Sequence, residues 1–248
     1  MRNIGLAILL NLTLMSCNSQ NENSIIDTPL EQSKKERWKT DNYIDSVQIL
    51  LTNDYQLNEA FGYGASSFLV RSKSDTLLCT AKHLLGEAMG ITPEIKTNEF
   101  NSVFSYWKAF PRDNKLSSDT IYSSQIVTEV INTTDIILQD CEVKTDCNLI
   151  VLTPRFSKTK KGEKFEIIGC QYTDLDCHQR TYKAIMDSYE GEQIVLKCET
   201  PFSPGGFSGA PVIDENGLVI GVVSTGGNFG GTLYLTIEPL LKLKSYFK

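Results

Sequence analysis

Residues 206–212 read Gly206-Phe207-Ser208-Gly209-Ala210-Pro211-Val212, which places a serine between glycines in a segment suited to a tight turn. Upstream, residues 78–83 read Leu-Cys-Thr-Ala-Lys-His and end in His83. A serine hydroxyl is a poor nucleophile at neutral pH, so it needs an imidazole to accept its proton and a third group to hold that imidazole. The two segments therefore supply a candidate nucleophile, Ser208, and a candidate base, His83.

The order of these residues along the chain limits which class of serine hydrolase the protein can belong to. The chain has two histidines, His83 and His178, and both precede Ser208. This excludes the Ser, Asp, His order of the α/β-hydrolases and leaves the order His, Asp, Ser. His178 follows Cys177 in a polar run typical of an exposed loop, and no second Cys/His pair with zinc spacing accompanies it. We therefore expect no metal site and no cofactor.

Six segments occur in an order that is itself informative. They are Gly62–Val70, Thr80–His83, Asp146–Leu152, Gly206–Val212, Gly221–Gly226 and Tyr234–Ile237. Together they resemble the trypsin-like (chymotrypsin-fold) serine peptidases, particularly the bacterial branch that includes glutamyl-endopeptidase-like enzymes and heat-stress proteases of the cell envelope. The resemblance covers roughly residues 43–248.

The resemblance implies a fold and a reaction. The fold would be all-β, with two antiparallel six-stranded barrels, a short C-terminal helix and an active site in the cleft between the barrels. The reaction would be hydrolysis of peptide bonds through a His-Asp-Ser triad and an acyl-enzyme intermediate. The oxyanion hole would be formed by the N–H groups of Gly206 and Ser208. Ser224, Thr225 and Gly226 would pair with the substrate backbone.

The residue pattern independently favours β structure. Short apolar runs and alternating segments recur from about Tyr43 to the end, with turn residues between them. Asn216-Gly217, for example, separates two apolar runs and suits a hairpin turn. Helix signals are sparse, and the best of them are a short turn after His83 and residues 238–244.

The third member of the triad has two candidates. Asp146 precedes the strand-like run Asn148–Leu152, and Asp135 precedes Ile136-Ile137-Leu138. We predict Asp146, because the run after it leads into Thr153-Pro154 and the next hairpin as the corresponding strand of the family does. Asn148 replaces the family's usual small residue, and Asp135 remains the alternative.

Phe207 marks a departure from part of the family. It stands where the digestive and clotting enzymes have an acidic residue that pairs with a newly cut N-terminus. Activation by that salt bridge is therefore not expected. The segments that would wall the specificity pocket, near Phe202, Ser203 and residues 224–227, contain no acidic residue, which disfavours cleavage after Arg or Lys.

The N-terminus indicates export. Arg2 is followed by the apolar run Ile4–Leu14, which is too short to span a bilayer, since spanning needs ~20 residues. The run ends in Leu14-Met15-Ser16-Cys17, which resembles a bacterial lipobox. We expect a lipoprotein signal peptide at 1–16, lipid attachment at Cys17, a flexible polar tether at 17–42 and the peptidase domain at 43–248. An ordinary secretory signal is the alternative.

The net charge of the chain limits the kinds of partner that it is expected to bind. The net charge of −6 argues against nucleic acid as a partner. We expect a monomer that acts on protein or peptide substrates in the bacterial cell envelope, anchored in a membrane through Cys17 and facing the periplasm or the exterior.

Six cysteines follow Cys17, and export permits disulfides. Cys141 with Cys147 and Cys170 with Cys177 are close enough in sequence to pair, while Cys79 fits a small core residue.

Two other functions use the same residues. A catalytically silent trypsin-fold protein could bind peptides at the envelope, although it would have no need of both Ser208 and His83. A serine esterase on the same fold would share the acyl chemistry, and cleavage of esters but not of amides would distinguish it.

Overall fold

A computed structural model describes residues 34–73, 75–96, 98–127, 134–144 and 146–247. The expected signal peptide, Cys17 and the first part of the expected tether lie outside the described residues. Within the described ranges, no helix is both long and apolar enough to cross a membrane.

The first half of the chain forms a six-stranded barrel. Its strands are β1 (Leu51–Leu57), β2 (Ala60–Arg71), β3 (Thr76–Ala81), β4 (Phe104–Phe110), β5 (Ile121–Ile126) and β6 (Ile136–Glu142). They follow the order β1-β4-β5-β6-β3-β2, and antiparallel pairing of β1 with β2 closes the barrel. A short strand, β7 (Val151–Leu152), adds to β2 in parallel as the chain leaves this barrel.

The second half forms another closed six-stranded barrel. Its strands are β8 (Lys164–Gly169), β9 (Arg180–Glu190), β10 (Gln193–Cys198), β11 (Pro211–Ile213), β12 (Val219–Phe229) and β13 (Thr232–Pro239), in the order β10-β13-β12-β11-β8-β9. All its pairings are antiparallel. The predicted all-β fold of two six-stranded barrels is confirmed.

Helical structure is short throughout the described residues. Single 3-10 turns occur at Tyr43–Asp45, Lys82–Leu85 and Glu87–Met89, and one α-helical turn, α1, at Phe100–Val103. The C-terminal helix expected from the sequence is a 3-10 helix, Leu240–Tyr246.

The apolar cores explain how the two barrels are held together. Inside the first barrel the rings of Tyr55 and Trp107 stack with their centroids 4.1 Å apart. A separate buried cluster crosses between the barrels, since Phe68 and Val70 of β2 belong to the same cluster as Ile168 and Val222. Burial of apolar side chains stabilises by roughly 25 cal/mol for each Å² removed from water, so this cluster opposes separation of the barrels. The cleft between them is thus bounded by two fixed walls.

The segment before residue 43 is not a free tether over its whole length. Lys39 Nζ lies 2.6 Å from Glu166 Oε2 in β8, and the Tyr43 hydroxyl donates to the same oxygen at 2.7 Å. The Glu36 N–H donates to the Asn216 carbonyl at 2.9 Å. Burial, together with this bond to Glu166, raises the pKa of Tyr43 far above its usual value. The boundary predicted at residue 43 is therefore wrong, because the packed domain includes at least residues 36–42.

Gln179 holds the next part of this N-terminal segment. Its side-chain oxygen accepts the N–H groups of Ile49 and Leu50 at 3.0 and 3.1 Å, and its amide nitrogen donates to the Ile44 carbonyl at 2.9 Å. An amide side chain offers both donors and acceptors, so one residue satisfies several backbone groups of the segment that precedes β1.

One disulfide is present among the described cysteines, between Cys170 and Cys177. It closes the loop between β8 and β9. The other local pairing considered from the sequence does not form, since Cys141 and Cys147 are both free. Cys79 is free and buried in the core, as its apolar strand predicted.

Candidate active site

His83 lies between an acidic side chain and Ser208. It belongs to the 3-10 turn Lys82–Leu85 that follows β3. Its Nδ1 is 2.7 Å from Asp135 Oδ2, and its backbone N–H donates to Asp135 Oδ1 at 2.8 Å. Its Nε2 is 2.8 Å from Ser208 Oγ. One imidazole is thus hydrogen-bonded on both nitrogens, to a carboxylate on one side and to a serine on the other.

The register between β3 and β6 explains why the carboxylate is Asp135. Ala81 pairs with Ile136, and the Lys82 N–H donates to the Asp135 carbonyl at 3.1 Å. The residue just before β6 therefore lies beside the turn just after β3. Asp146 is exposed in a turn before β7. The preference for Asp146 is wrong, and Asp135 is the residue that the fold brings to His83.

Ser224 contacts the same carboxylate. Its hydroxyl donates to Asp135 Oδ2 at 2.5 Å. The pairing of β12 with β13 shifts between Val223 and Thr225, and such a bulge re-aims the side chain of the extra residue. Burial alone would raise the pKa of Asp135, but the hydrogen bonds from His83 and Ser224 lower it below its ordinary value. From the sequence, Ser224 was predicted to pair with the substrate backbone and to lie near the pocket wall, and its side-chain contact with Asp135 was not predicted.

Two consecutive tight turns present Ser208. The Phe207 N–H donates to the Pro204 carbonyl at 3.1 Å, and the Ala210 N–H donates to the Phe207 carbonyl at 2.7 Å. Gly206 and Gly209 occupy the third position of each turn with φ of +94° and +82°, a region that side chains rarely adopt. A Cβ on Gly209 would also lie 2.2 Å from the Ser66 carbonyl oxygen. Both glycines are therefore required by the turns.

The carbonyl groups of this nucleophile loop, residues 205–208, are all hydrogen-bonded. Their donors come from the first barrel, from the loop itself and from the loop that the disulfide closes. The pairs are Gly205 O with Tyr172 N at 3.4 Å, Gly206 O with Ser66 Oγ at 2.8 Å, Phe207 O with Ala210 N at 2.7 Å, and Ser208 O with Ser66 N at 2.8 Å. Four successive peptide planes are thereby oriented.

Not every N–H group of this stretch has an acceptor. The Phe207 N–H is used in the first turn, and the Gly209 N–H donates to the Val223 carbonyl at 2.9 Å. Within the described residues, the N–H groups of Gly206 and Ser208 donate to no protein acceptor. In a planar trans peptide the N–H points opposite the C=O, so the anchored carbonyls fix the direction of both donors. These are the two residues that the sequence predicted for an oxyanion hole.

Ser66 connects the nucleophile loop to the core of the first barrel. Its carbonyl accepts the Thr80 hydroxyl at 2.7 Å; Asn53 Nδ2 lies 3.4 Å from that hydroxyl, and Trp107 Nε1 donates to Asn53 Oδ1 at 3.0 Å. A bulge at Ala65, which has φ of +53°, turns Ser66 toward the loop. Ser66 is not among the site residues predicted from the sequence. The signal available was a pair of serines inside an otherwise apolar strand.

The strand predicted to contact substrate has a free edge. β12 pairs with β13 as far as Phe229, whereas its pairing with β11 ends at Val222. Over residues 224–229 the second edge has no strand partner in the described part of the chain. Such an edge can accept an extended peptide by backbone hydrogen bonding.

Phe207 lies in the core of the second barrel and not in the catalytic cleft. Phe207 is fully buried, with its ring centroid 5.0 Å from that of Tyr182 and 4.8 Å from that of Phe202. An aromatic cluster therefore occupies the place where an acidic residue would have held a new N-terminus.

His178 contacts Asp113 through Nδ1, away from Ser208. No group of three or more His, Cys, Asp or Glu side chains in the described ranges could hold a metal ion.

Comparison with solved structures finds the same fold in two proteases. A thermostable serine protease from an extremophilic microorganism superposes with a TM-score of 0.56 at 16% identity, over 82% of this chain and 96% of that one. An HtrA-type protease, AlgW, with a tripeptide superposes with a TM-score of 0.53 at 15% identity, over 81% of this chain. The chain spans about 60% of the length of the HtrA-type protease.

Sequence comparison gives the family. No curated protein matches the chain. The trypsin-like peptidase domain, as a family, matches residues 65–222, a range that holds His83, Asp135 and Ser208 and spans more than half of the 248 residues. The chain therefore belongs to the family of trypsin-like peptidase domains and is a serine-type endopeptidase.

Proposed function

We propose that the protein cleaves peptide bonds with Ser208 as nucleophile, His83 as general base and then general acid, and Asp135 as the group that orients His83. One observation carries this proposal. His83 bridges Ser208 Oγ and Asp135 Oδ2 with distances of 2.8 and 2.7 Å, which are hydrogen-bond distances. A base within this distance of a serine is what nucleophilic acyl transfer requires.

The first half of the reaction uses all these groups. Ser208 Oγ attacks the carbonyl carbon of the scissile bond while its proton passes to His83 Nε2. The carbonyl oxygen becomes negative, and the free N–H groups of Gly206 and Ser208 bind it. His83 then gives its proton to the departing amine, which leaves an acyl ester on Ser208. Asp135 stays ionised and stabilises the imidazolium.

The second half of the reaction repeats the same proton transfers with water. A water molecule enters where the amine has left, loses a proton to His83 and attacks the acyl ester. The same two N–H groups bind the second tetrahedral oxyanion. His83 returns the proton to Ser208 Oγ, which regenerates the enzyme and releases an acid. No group beyond the chain's own residues and water is needed.

The substrate would bind as an added strand. The free edge of β12 at Ser224, Thr225 and Gly226 supports this proposal, because backbone N–H and C=O groups there can pair with an extended peptide. Pairing along this edge would direct the scissile carbonyl toward Ser208. Because backbone groups make these bonds, they give affinity without selecting a sequence.

Export and lipid anchoring through Cys17 form part of the proposal. The apolar run Ile4–Leu14 ahead of Leu14-Met15-Ser16-Cys17 supports it. The Cys170–Cys177 disulfide also favours an oxidising compartment, where such bonds persist. The protein would act as a monomer on proteins or peptides in the cell envelope, facing the periplasm or the exterior. Incorporation of radiolabelled fatty acid into the wild type but not into Cys17→Ser tests this part.

The experiment for the activity is labelling with a fluorophosphonate, which reacts only with activated serines. We expect the modified peptide to contain Ser208, and labelling to vanish in Ser208→Ala and to fall sharply in His83→Ala. Ser188→Ala, which changes an exposed serine on β9, is the matched control and should label normally. Absence of labelling in a folded chain would refute the proposal. Turnover of esters without cleavage of a peptide library would replace it with the esterase function.

A further inference from the structure

The loop that the disulfide closes, residues 170–177, packs against the nucleophile loop. The Tyr172 N–H points at the Gly205 carbonyl, 3.4 Å away, and Gln171 Oε1 accepts the Ser203 N–H at 3.0 Å. Two neighbouring residues of one loop therefore hold the backbone just ahead of Gly206. The catalytic steps described above use neither of these residues.

The Tyr172 ring covers the same backbone. A Cβ built on Gly205 would lie 3.2 Å from Tyr172 Cδ2, and one built on Gly206 would lie 3.3 Å from Cδ1. A Cβ on Gly64, in the first barrel, would lie 3.1 Å from the Tyr172 hydroxyl. The ring thus lies over the peptide between Gly205 and Gly206 and reaches across the cleft, although 53% of the residue stays exposed.

This peptide is the least firmly held of the four in the nucleophile loop. The carbonyls of Gly206, Phe207 and Ser208 have donors at 2.8, 2.7 and 2.8 Å, whereas the Gly205 carbonyl has only the Tyr172 N–H at 3.4 Å. Glycine on both sides lowers the steric barrier to turning the peptide over. If it turned over, the carbonyl would take the place of the Gly206 N–H and the oxyanion would lose one donor.

We propose that Tyr172, held in the disulfide-closed loop, is a positioning residue that keeps the Gly206 N–H directed at the oxyanion. The proposal rests on the proposed function, because it assigns that N–H to the oxyanion hole. The disulfide takes part by limiting the loop, since it joins the residues on either side of the segment that contains Tyr172. The Cys177 N–H also donates to the Asp174 carbonyl at 3.1 Å, which keeps the loop compact.

The role predicts a kinetic signature. The oxyanion exists in the transition state and not in the bound substrate, so loss of a donor lowers kcat and leaves KM nearly unchanged. Complete loss of one such donor typically costs ~10²- to 10³-fold in kcat. A peptide that turns over part of the time would cost less, so we expect a fall in kcat of at least about tenfold.

The test compares four variants of the protein with the wild type. Tyr172→Ala removes the ring, Tyr172→Phe keeps it, and the double variant Cys170→Ala with Cys177→Ala opens the loop. Leu175→Ala changes a residue that is 87% exposed in the same loop and is the matched control. For each variant, kcat and KM are measured on one peptide substrate, together with binding of a peptide boronic acid and of the corresponding product peptide. The boronic acid forms a tetrahedral adduct with the serine, whereas the product peptide does not.

We expect Tyr172→Ala and the double variant to lose kcat and boronic acid affinity while KM and product affinity stay within about twofold. Tyr172→Phe and Leu175→Ala should behave as wild type. If one of the first two variants fails to fold, the other decides the question. An unchanged kcat in folded Tyr172→Ala, or in the folded double cysteine variant, overturns the inference while the proposed function stands. An inactive, unlabelled wild type overturns the proposed function instead.

Discussion

Ser224 donates its hydroxyl to Asp135 Oδ2 across 2.5 Å, and the same oxygen lies 2.7 Å from His83 Nδ1. The carboxylate oxygen that orients the imidazole is thus itself held by a residue of the second barrel, while Asp135 and His83 belong to the first. The cleft between the barrels is therefore crossed by hydrogen bonds on both sides of the imidazole, through Ser224 and through Ser208. Relative displacement of the two barrels would disturb both contacts at once.

Ser224→Ala should destabilise the protein in a pH-dependent way. The pKa of Asp135 is lowered in the folded state, and the Ser224 bond is one cause. Such a group contributes stability above the unfolded carboxyl pKa, and the contribution is lost as the pH falls through the folded one. A hydrogen bond to a charged group is worth about 1.5–3 kcal/mol, so we expect a deficit of that order at pH 7. Urea unfolding at pH 7 and near pH 3 measures it, and a deficit that does not shrink at the acid end contradicts the assignment.

Asp135→Asn should lower kcat by roughly 10³- to 10⁴-fold, because the amide no longer holds the imidazole in its productive tautomer and does not stabilise its charged form. Asp146→Asn is the matched control, since Asp146 is exposed in a turn and the change removes one carboxylate from a surface. It should leave kcat within about twofold, as exposed substitutions usually do. The two variants are compared on one peptide substrate after thermal unfolding has shown both to be folded. Loss of activity in Asp146→Asn alone would restore the assignment made from the sequence.

Ser66→Ala should lower both activity and stability. The Ser66 hydroxyl is the donor to the Gly206 carbonyl at 2.8 Å, and without it this partly buried carbonyl of the nucleophile loop has no other donor among the described residues. The expected cost is about 1–3 kcal/mol in the free energy of unfolding, with a fall in kcat because the loop that carries Ser208 is less well held. Urea unfolding and peptide kinetics measure the two effects.

The next residue provides the control for Ser66. Ser67 is also fully buried, but its Oγ has no hydrogen-bond partner in the described part of the chain. Ser67→Ala removes an unsatisfied polar atom, so it should be neutral or stabilising. Equal loss in the two variants would mean that Ser66 acts through packing and not through its bond to Gly206.

The part of the site that could be predicted from sequence is the part encoded by local segments. The turns around Ser208 require Gly206 and Gly209, and the turn that carries His83 follows directly on β3, so short motifs indicate both. No local motif indicates Asp135 or Ser224. The register of β3 with β6 places Asp135 beside His83, and a bulge in β12 directs Ser224 to the same carboxylate. Strand register depends on pairing between distant parts of the chain, which no local pattern specifies. This is why a strand-like run after Asp146 pointed to the wrong carboxylate.

The packed N-terminal segment gives the last prediction. Lys39 is 8% exposed, and its ammonium shares Glu166 Oε2 with the Tyr43 hydroxyl. Glu166→Gln leaves the buried ammonium without its anion, so we expect a loss of about 1.5–3 kcal/mol in the free energy of unfolding. Glu192→Gln is the matched control, because Glu192 pairs with Lys242 at 3.4 Å but is 79% exposed, and such surface pairs contribute about 0–1 kcal/mol.

The same interaction predicts where a stable domain begins. A chain that starts at residue 34 should be more stable than one that starts at residue 44, because only the first keeps Lys39 and Tyr43 on Glu166. Glu166→Gln should cost the shorter chain far less, since its partners are already absent. Urea unfolding of both chains, each with and without the substitution, gives the coupling directly. Equal costs in the two chains would mean that residues 36–43 do not stabilise the barrel through Glu166, and that the tether extends to residue 43 after all.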